Sequence, residues 1–382
     1  MKFIHISDLH LGKRLYEFSM LEDQEHILNQ IIEIIDSEKP DGVLIAGDVY
    51  DKQNPPAEAV QLLDDFLVKL AQRKLEVFVI SGNHDSPERI AFGSRIMNAG
   101  GIHMSPVYNG EITPFTMNDE HGNVNVYMLP FVKPANVRCF CDEDVRENIK
   151  TETDAIKAAI PKMAINPAER NIIVSHQAIK GAVRSDSEEV VIGNLREIDA
   201  SAFDPFDYVA LGHLHTPQNC GSEKIRYCGT PLKDSLSELK GKKSVTVVEL
   251  LEKGNVQYKT VELTPLRELV ELRGTYEELT KKSFYDNTTW QEDYTHIILT
   301  DEDDIPDAIG KLRVIYRHLM KLDYDNKRTQ SDSEIIGANM IEKKTPLELF
   351  EELYELQNNQ PMSDEQVEFM KKLIEETVEE MQ

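Results

Sequence analysis

Five short, largely apolar runs constrain this chain most: Phe3–Ile6, Val43–Ala46, Val77–Ile80, Ile172–Val174 and Tyr208–Leu211. Each stops at a polar cluster and is followed by a helix-like stretch. Runs of this length suit strands buried on both faces. Between them, Glu22–Ile35 and Glu58–Leu70 carry apolar residues at helical spacing, the second after Pro55-Pro56. Alternating strands and helices predict an α/β architecture, a layered sheet with helices packed outside. Ser244–Leu250 and Val256–Leu263 alternate around Gly254, which predicts a closing hairpin.

The 382 residues suit two or three domains. With 42 basic and 68 acidic residues, the net charge is −26. That argues against coating nucleic acid or an anionic membrane by bulk charge, but leaves room for a nucleic-acid enzyme with a local basic channel or a basic partner. Four cysteines without CxxC spacing point to a reduced, cytoplasmic setting. No apolar run reaches the roughly 18 residues that span a bilayer, so no membrane partner is expected. Strand-like alternation from Lys2 to Ser7 leads straight into a polar motif, so the fold is expected to begin at residue 1.

Residues 1–263 form the first expected domain. Pro265 marks a change, and residues 264–325 read as a small α+β unit. Its expected strands are Glu268–Leu272 and His296–Leu299. Its expected helix is Asp307–Leu322, with Leu312, Ile315, Leu319 and Leu322 on one face and Arg313, Arg317 and Lys321 on another. That basic row suits either phosphate contact or a solvated face paired with acids. Residues 326–344 read as a polar linker. Residues 345–382 read as two helices, opened by capping boxes at Thr345–Glu348 and Ser363–Gln366. Their apolar faces are Leu347, Phe350 and Tyr354, then Val367, Met370 and Ile374. This acidic tail suits a local lid or, better after a linker, a helix-in-groove docking segment.

The polar clusters carry the chemistry. They are Asp8-Leu9-His10, Gly47-Asp48-Val49-Tyr50-Asp51, Gly82-Asn83-His84-Asp85, Ser175-His176 and Gly212-His213-Leu214-His215. Each alone has a bland reading as a turn or a satisfied histidine. Together they gather five of eleven histidines at strand ends, where α/β sheets bind ligands. Glycine before Asp48, Asn83 and His213 allows sharp turns and close approach. Carboxylate, imidazole and amide oxygen without thiolate suit Mn²⁺, Fe²⁺ or Zn²⁺. One carboxylate between two ligand groups suggests two divalent ions about 3.5–4 Å apart, as in phosphoester hydrolases. His84 is positioned to protonate a leaving oxygen or to bind phosphate, with Asp85 orienting it.

These five pieces, in this order, resemble the calcineurin-like metallophosphoesterases. The resemblance implies a β-sandwich flanked by helices, with Asp8, His10, Asp48 and His215 on one metal. It gives Asp48, Asn83, His176 and His213 to the other and makes His84 the catalytic histidine. That superfamily also holds two-metal phosphomonoesterases and cyclic-nucleotide phosphodiesterases, which remain the alternative. Ile198–Ser201, Phe206–His215, Tyr227–Leu232 and Ser235–Glu238 are similar to the SbcD family of nuclease subunits. Related archaeal and eukaryotic chains often carry histidine where Asp51 stands, and the role of Asp51 stays open. The SbcD resemblance implies a Mn²⁺-dependent double-strand 3′→5′ exonuclease and endonuclease that cuts hairpins and blocked ends. It also implies action in DNA repair and recombination at the nucleoid, and an SbcC-type coiled-coil ATPase partner around an SbcD homodimer in a heterotetramer. Residues 264–325 would cap the DNA, and residues 345–382 would dock on the partner.

Overall fold

The computed structural model describes residues 1–184 and 197–326, Leu347, Phe350, Glu351, Leu353, Tyr354 and residues 362–380. Two six-stranded sheets form the bulk of it. The first has the order Val256–Glu262, Ser244–Leu250, Lys2–Ile6, Gly42–Ala46, Glu76–Ile80, Ile102–Met104. The second has the order Gln218–Cys220, Ser222–Tyr227, Tyr208–Gly212, Arg170–His176, Gly122–Leu129, Phe115–Asp119. All five apolar runs are strands. In each sheet they run parallel to their neighbours among the runs, so their carboxyl ends share an edge. The expected hairpin is the antiparallel pair at the rim of the first sheet.

Strand periodicity decides which core each side chain joins. Phe3, Leu44, Ala46, Phe78 and Ile80 point inward and meet Val126, Ile172, Val174, Tyr208 and Ala210 of the second sheet. The alternate residues Ile4, Val43, Ile45, Val77 and Val79 point outward, under Ile27, Ile31, Leu63 and Phe66 of the helices Leu21–Glu38 and Ala57–Gln72. Both faces are therefore dry, which is why the runs read as continuously apolar. Truncating a fully buried Phe78 to alanine would cost about 3–5 kcal/mol.

By contacts, Met1–Arg273, Glu277–Ile298 and Asp307–Asp323 form one compact unit; Gly274–Tyr276, Leu299–Pro306 and Tyr324–Gln382 form a second. A third sheet orders Leu269–Gly274, Tyr294–Leu299 and His318–Tyr324. The expected helix Asp307–Leu322 is not continuous: it spans only Ala308–Arg313, and His318–Tyr324 is a strand. The pattern Leu312, Ile315, Leu319, Leu322 fits helical spacing by chance of a short helix meeting a strand, since Leu319 and Met320 are buried in sequence.

The Ser363–Gln366 capping box forms, with the Ser363 amide donating to Gln366 Oε1 at 2.8 Å and the Gln366 amide to Ser363 Oγ at 3.4 Å. It opens the helix Asp364–Glu380. Val367, Met370 and Ile374 are half-buried there, while Phe369 and Leu373 are exposed. Of the linker expected at residues 326–344 only Asn326 is described, buried and donating to the Asp301 carbonyl at 3.1 Å, and of the Thr345–Glu348 box only Leu347; the rest lie outside the described residues. No helix among the described residues is long and apolar enough to cross a membrane.

Candidate metal centre

The shared strand edge brings the five clusters into one site. Past the strand ends, the chains stay paired: the Asp8 amide donates to the Gly47 carbonyl, the His10 amide to Asp48 and the Leu11 amide to Val49, each at 3.0 Å. Asp8, His10, Asp48 and His213 all adopt positive φ, of 52°, 43°, 47° and 100°. Such backbone is costly for non-glycine residues and collects at functional sites. Gln24 of the first helix holds the His10 loop, donating to the His10 carbonyl at 2.7 Å and accepting from the Gly12 amide at 3.0 Å. The expected role of glycine holds at Gly82, where any side chain would collide with Asp48 Oδ1, and at Gly47 (φ 86°), where it would meet His176 Nδ1 at 2.5 Å.

The expected ligands converge. Asp48 Oδ2 lies 3.2 Å from His176 Nε2 and 4.0 Å from His10 Nε2. Asn83 Oδ1 lies 3.1 Å from His176 Nε2 and 2.9 Å from His213 Nδ1. The Asp8 carboxylate accepts the His213 amide at 3.0 Å and the Ser7 hydroxyl. Among the described residues, three groups bring ligand atoms within 4.8 Å of one another: Asp8, His10 and His215; Asp8, Asp48 and His176; His10, Asp51 and His84. The third group adds Asp51, whose carboxylate also meets Lys13 Nζ at 3.4 Å.

His84 donates its amide to Asp48 Oδ1 at 2.8 Å, and its Nδ1 lies 3.0 Å from the Asp51 carbonyl oxygen. Asp85 does not orient the His84 ring as expected. Its carboxylate instead accepts the amides of Val49 at 3.0 Å and of Tyr50 and Gly82 at 2.9 Å. It thereby pins the second and third loops together, a use of the side chain that sequence spacing does not reveal.

The electrostatics fit divalent ions. Asp48 is 2% exposed and His176 0%. Burial pushes Asp8 up to about 6, with Asp48 adding to it and His176 opposing. Burial would also raise Asp48, but His176 and His10 hold it well below the carboxylate range. Burial would lower His176, yet Asp48 keeps it up at about 9. His213 drops to about 3 through burial and its neighbour His176. His10, buried, makes no hydrogen bond through either ring nitrogen among the described residues. Unpartnered buried imidazole among buried carboxylates is costly unless a cation completes the site. The nitrogen and oxygen donor set suits borderline-hard divalent metals.

The basic row expected at Arg313, Arg317 and Lys321 is split over a helix end, a turn and a strand. Arg313 pairs with Glu17, Arg317 with Glu292, and Lys321 with Asp323 at 2.7 Å. Spacing of four aligned them only because the segment was read as one helix. Leu347, Phe350 and Tyr354 are described; Tyr354 Oη accepts from Gln366 Nε2 at 3.0 Å. Sequence reasoning passed over Lys13, Gln24 and Asp234, all packed near the ligands. Glu238 is signalled by the Ser235–Glu238 stretch, and Lys243 by the basic loop Lys240–Lys243, a weaker candidate for phosphate contact whose Lys243 is instead buried against Glu238, Thr230 and the His215 carbonyl.

Residues 1–217 match the calcineurin-like phosphoesterase family, and residues 265–358 match a family described as the type 5 capsule protein repressor C-terminal domain. A protein from Staphylococcus saprophyticus, named as the SbcD component of the nuclease SbcCD, is 34% identical over 326 residues, covering 84% of each chain. One of the same name from Staphylococcus epidermidis is 31% identical over 381 residues, covering 98% of each. Among solved structures, a dimetal phosphatase from Danio rerio aligns over 69% of this chain and 98% of its own, at 14% identity and a TM-score of 0.42.

Proposed function

We propose, from the premise that the chain belongs to the calcineurin-like phosphoesterases and within them to the SbcD nuclease family, that it is the Mn²⁺-dependent nuclease half of a DNA-processing complex. The observation that carries the reading is the convergence of seven ligand-type side chains from five strand ends, among them a buried His10 whose ring has no hydrogen-bond partner among the described residues. On this reading Asp8, His10, Asp48 and His215 hold one ion, and Asp48, Asn83, His176 and His213 the other. When bound, the ions would offset the negative charge of the phosphodiester and lower the pKa of water enough to furnish a hydroxide nucleophile at neutral pH.

The chain's own residues do the rest. Asp48, between His10 and His176, ties both halves of the site. Its Oδ1 also fixes the backbone of His84. With Nδ1 held at the Asp51 carbonyl, His84 offers Nε2 to the scissile group and passes a proton to the leaving oxygen. Asp85 acts through the backbone, keeping the Asp48 and Asn83 loops in register.

Residues 264–325 then cap the DNA. Contact through Arg313, Arg317 and Lys321 exchanges Glu17, Glu292 and Asp323 for phosphate, which is cheap because exposed ion pairs are worth about 0–1 kcal/mol. Residues 326–344 link to residues 345–382, which dock on an SbcC-type coiled-coil ATPase, the nuclease acting as a homodimer within a heterotetramer. The substrates are double-strand ends, hairpins and blocked ends, cut by 3′→5′ exonuclease and endonuclease steps during repair and recombination at the cytoplasmic nucleoid.

Linear duplex DNA and p-nitrophenyl phosphate, each with Mn²⁺ and with or without the ATPase, test the reading. DNA cleavage that far exceeds monoester turnover is expected. Robust monoester turnover with no DNA cleavage in the complex overturns it.

A further inference from the structure

Beside the ligands sits a buried charged cluster that the chemistry above leaves unused. Lys243 is 7% exposed. Its three ammonium hydrogens have three partners: Glu238, Thr230 Oγ1 at 2.6 Å and the His215 carbonyl oxygen at 2.9 Å. Glu238 is 5% exposed, and its other oxygen, Oε1, lies 3.6 Å from His215 Nδ1. Asp234 Oδ2, buried and without a hydrogen bond among the described residues, lies 3.9 Å from the same nitrogen and 3.9 Å from His10 Nε2. Lys13 Nζ, 3.3 Å away, balances it.

Lys243 thus grips His215 at both ends, by its backbone carbonyl and through the acid that faces its ring. Two buried charges are kept there although apolar residues would fill the space at less cost. A metal-holding imidazole must present one nitrogen bare, and the partner of its other nitrogen decides which. A carboxylate facing Nδ1 selects the Nδ1–H tautomer and leaves Nε2 as the donor. The ligand atoms of Asp8, His10 and His215 lie within 4.8 Å of one another.

We propose that Glu238, anchored by Lys243, is the positioning residue of His215: it fixes the tautomer and orientation of that ring and so sets the affinity of the Asp8–His10–His215 corner for its ion. The inference rests on reading His215 as a metal ligand.

Calorimetric titration of the chelator-stripped full chain with Mn²⁺ tests it. Glu238→Gln is expected to weaken one of two sites about 10–100-fold. The double variant Glu238→Met with Lys243→Met leaves no lone buried charge, so it guards against a single variant that fails to fold, and the same loss is expected. In ¹⁵N-imidazole spectra of the metal-free chain, His215 is expected to show one Nδ1–H tautomer, and a mixture in the double variant. A purely structural pair would not move that signature. Unchanged Mn²⁺ affinity in both variants, with His215→Ala losing one site, overturns the inference alone. If His215→Ala keeps both sites at full affinity, the ligand reading of His215 falls, and the inference with it.

Discussion

Asp48 Oδ2 and His176 Nε2 face each other at 3.2 Å, although Asp48 follows a strand of the first sheet and His176 ends a strand of the second. The His176 ring is set by its Nδ1, which donates to the Ala46 carbonyl at 2.8 Å, two residues before Asp48. The two sheets are therefore locked where their ligands meet.

That pair makes metal uptake depend on pH. Burial alone would lower His176, but Asp48 holds it at about 9, so its imidazole is charged at neutral pH in the metal-free chain. A ligand imidazole must be neutral. Mn²⁺ affinity should therefore rise with pH up to about 9, and binding near pH 7.5 should expel about one proton. Since the folded value lies above the ordinary 6.5, the pair stabilises the metal-free fold below that pH, and its contribution is lost as pH passes about 9. Calorimetry in two buffers of different ionisation enthalpy measures the proton count. A count of zero would refute the pairing.

His84 offers a separate test of catalysis. Its amide and Nδ1 are fixed by Asp48 and the Asp51 carbonyl, so glutamine at this position keeps the backbone contact and loses the proton donor. His84→Gln should lower DNA cleavage about 10²–10⁴-fold while two Mn²⁺ ions still bind. Single-turnover rates beside a metal titration give both readings. Undiminished cleavage would remove His84 from the chemistry.

Arg170 predicts stability independent of the site. Its guanidinium, 2% exposed, pairs with Asp119 and donates to the carbonyls of Leu251 at 2.8 Å and Gly122 at 2.6 Å. Arg170→Leu leaves these acceptors and Asp119 buried or half-buried with one cation fewer. A loss of about 3–5 kcal/mol in urea unfolding is expected, with Mn²⁺ affinity unchanged. A loss under about 1 kcal/mol would mean the network is replaceable.

How far the sequence could be read follows from what each residue answers to. The five strands were legible because both their faces are dry, and Asp8, Asp48, Asn83, His176, His213 and His215 because strand ends must converge at one edge. Lys13 and Asp234 were not, since a charged residue in a loop looks solvated until the chain turns it inward. Asp85 was misread because its neighbour in sequence, His84, is not its partner in space. The strand His318–Tyr324 reads as helix in the sequence because its apolar residues, continued from Leu312, happen to repeat at three and four.

The tail carries the last prediction. Residues 345–382 hold 11 acidic and 2 basic residues, yet Phe369 is 65% exposed and Leu373 43% on the helix Asp364–Glu380. Large apolar side chains on an otherwise charged helix suit a partner groove more than solvent. Every proposed metal ligand lies between residues 8 and 215. Deleting residues 345–382 should therefore abolish co-purification with an SbcC-type ATPase and leave Mn²⁺ stoichiometry at two. Phe369→Ser with Leu373→Ser should weaken capture at least about tenfold, as expected for two buried anchors. A truncated chain that still forms the complex would place the docking surface elsewhere.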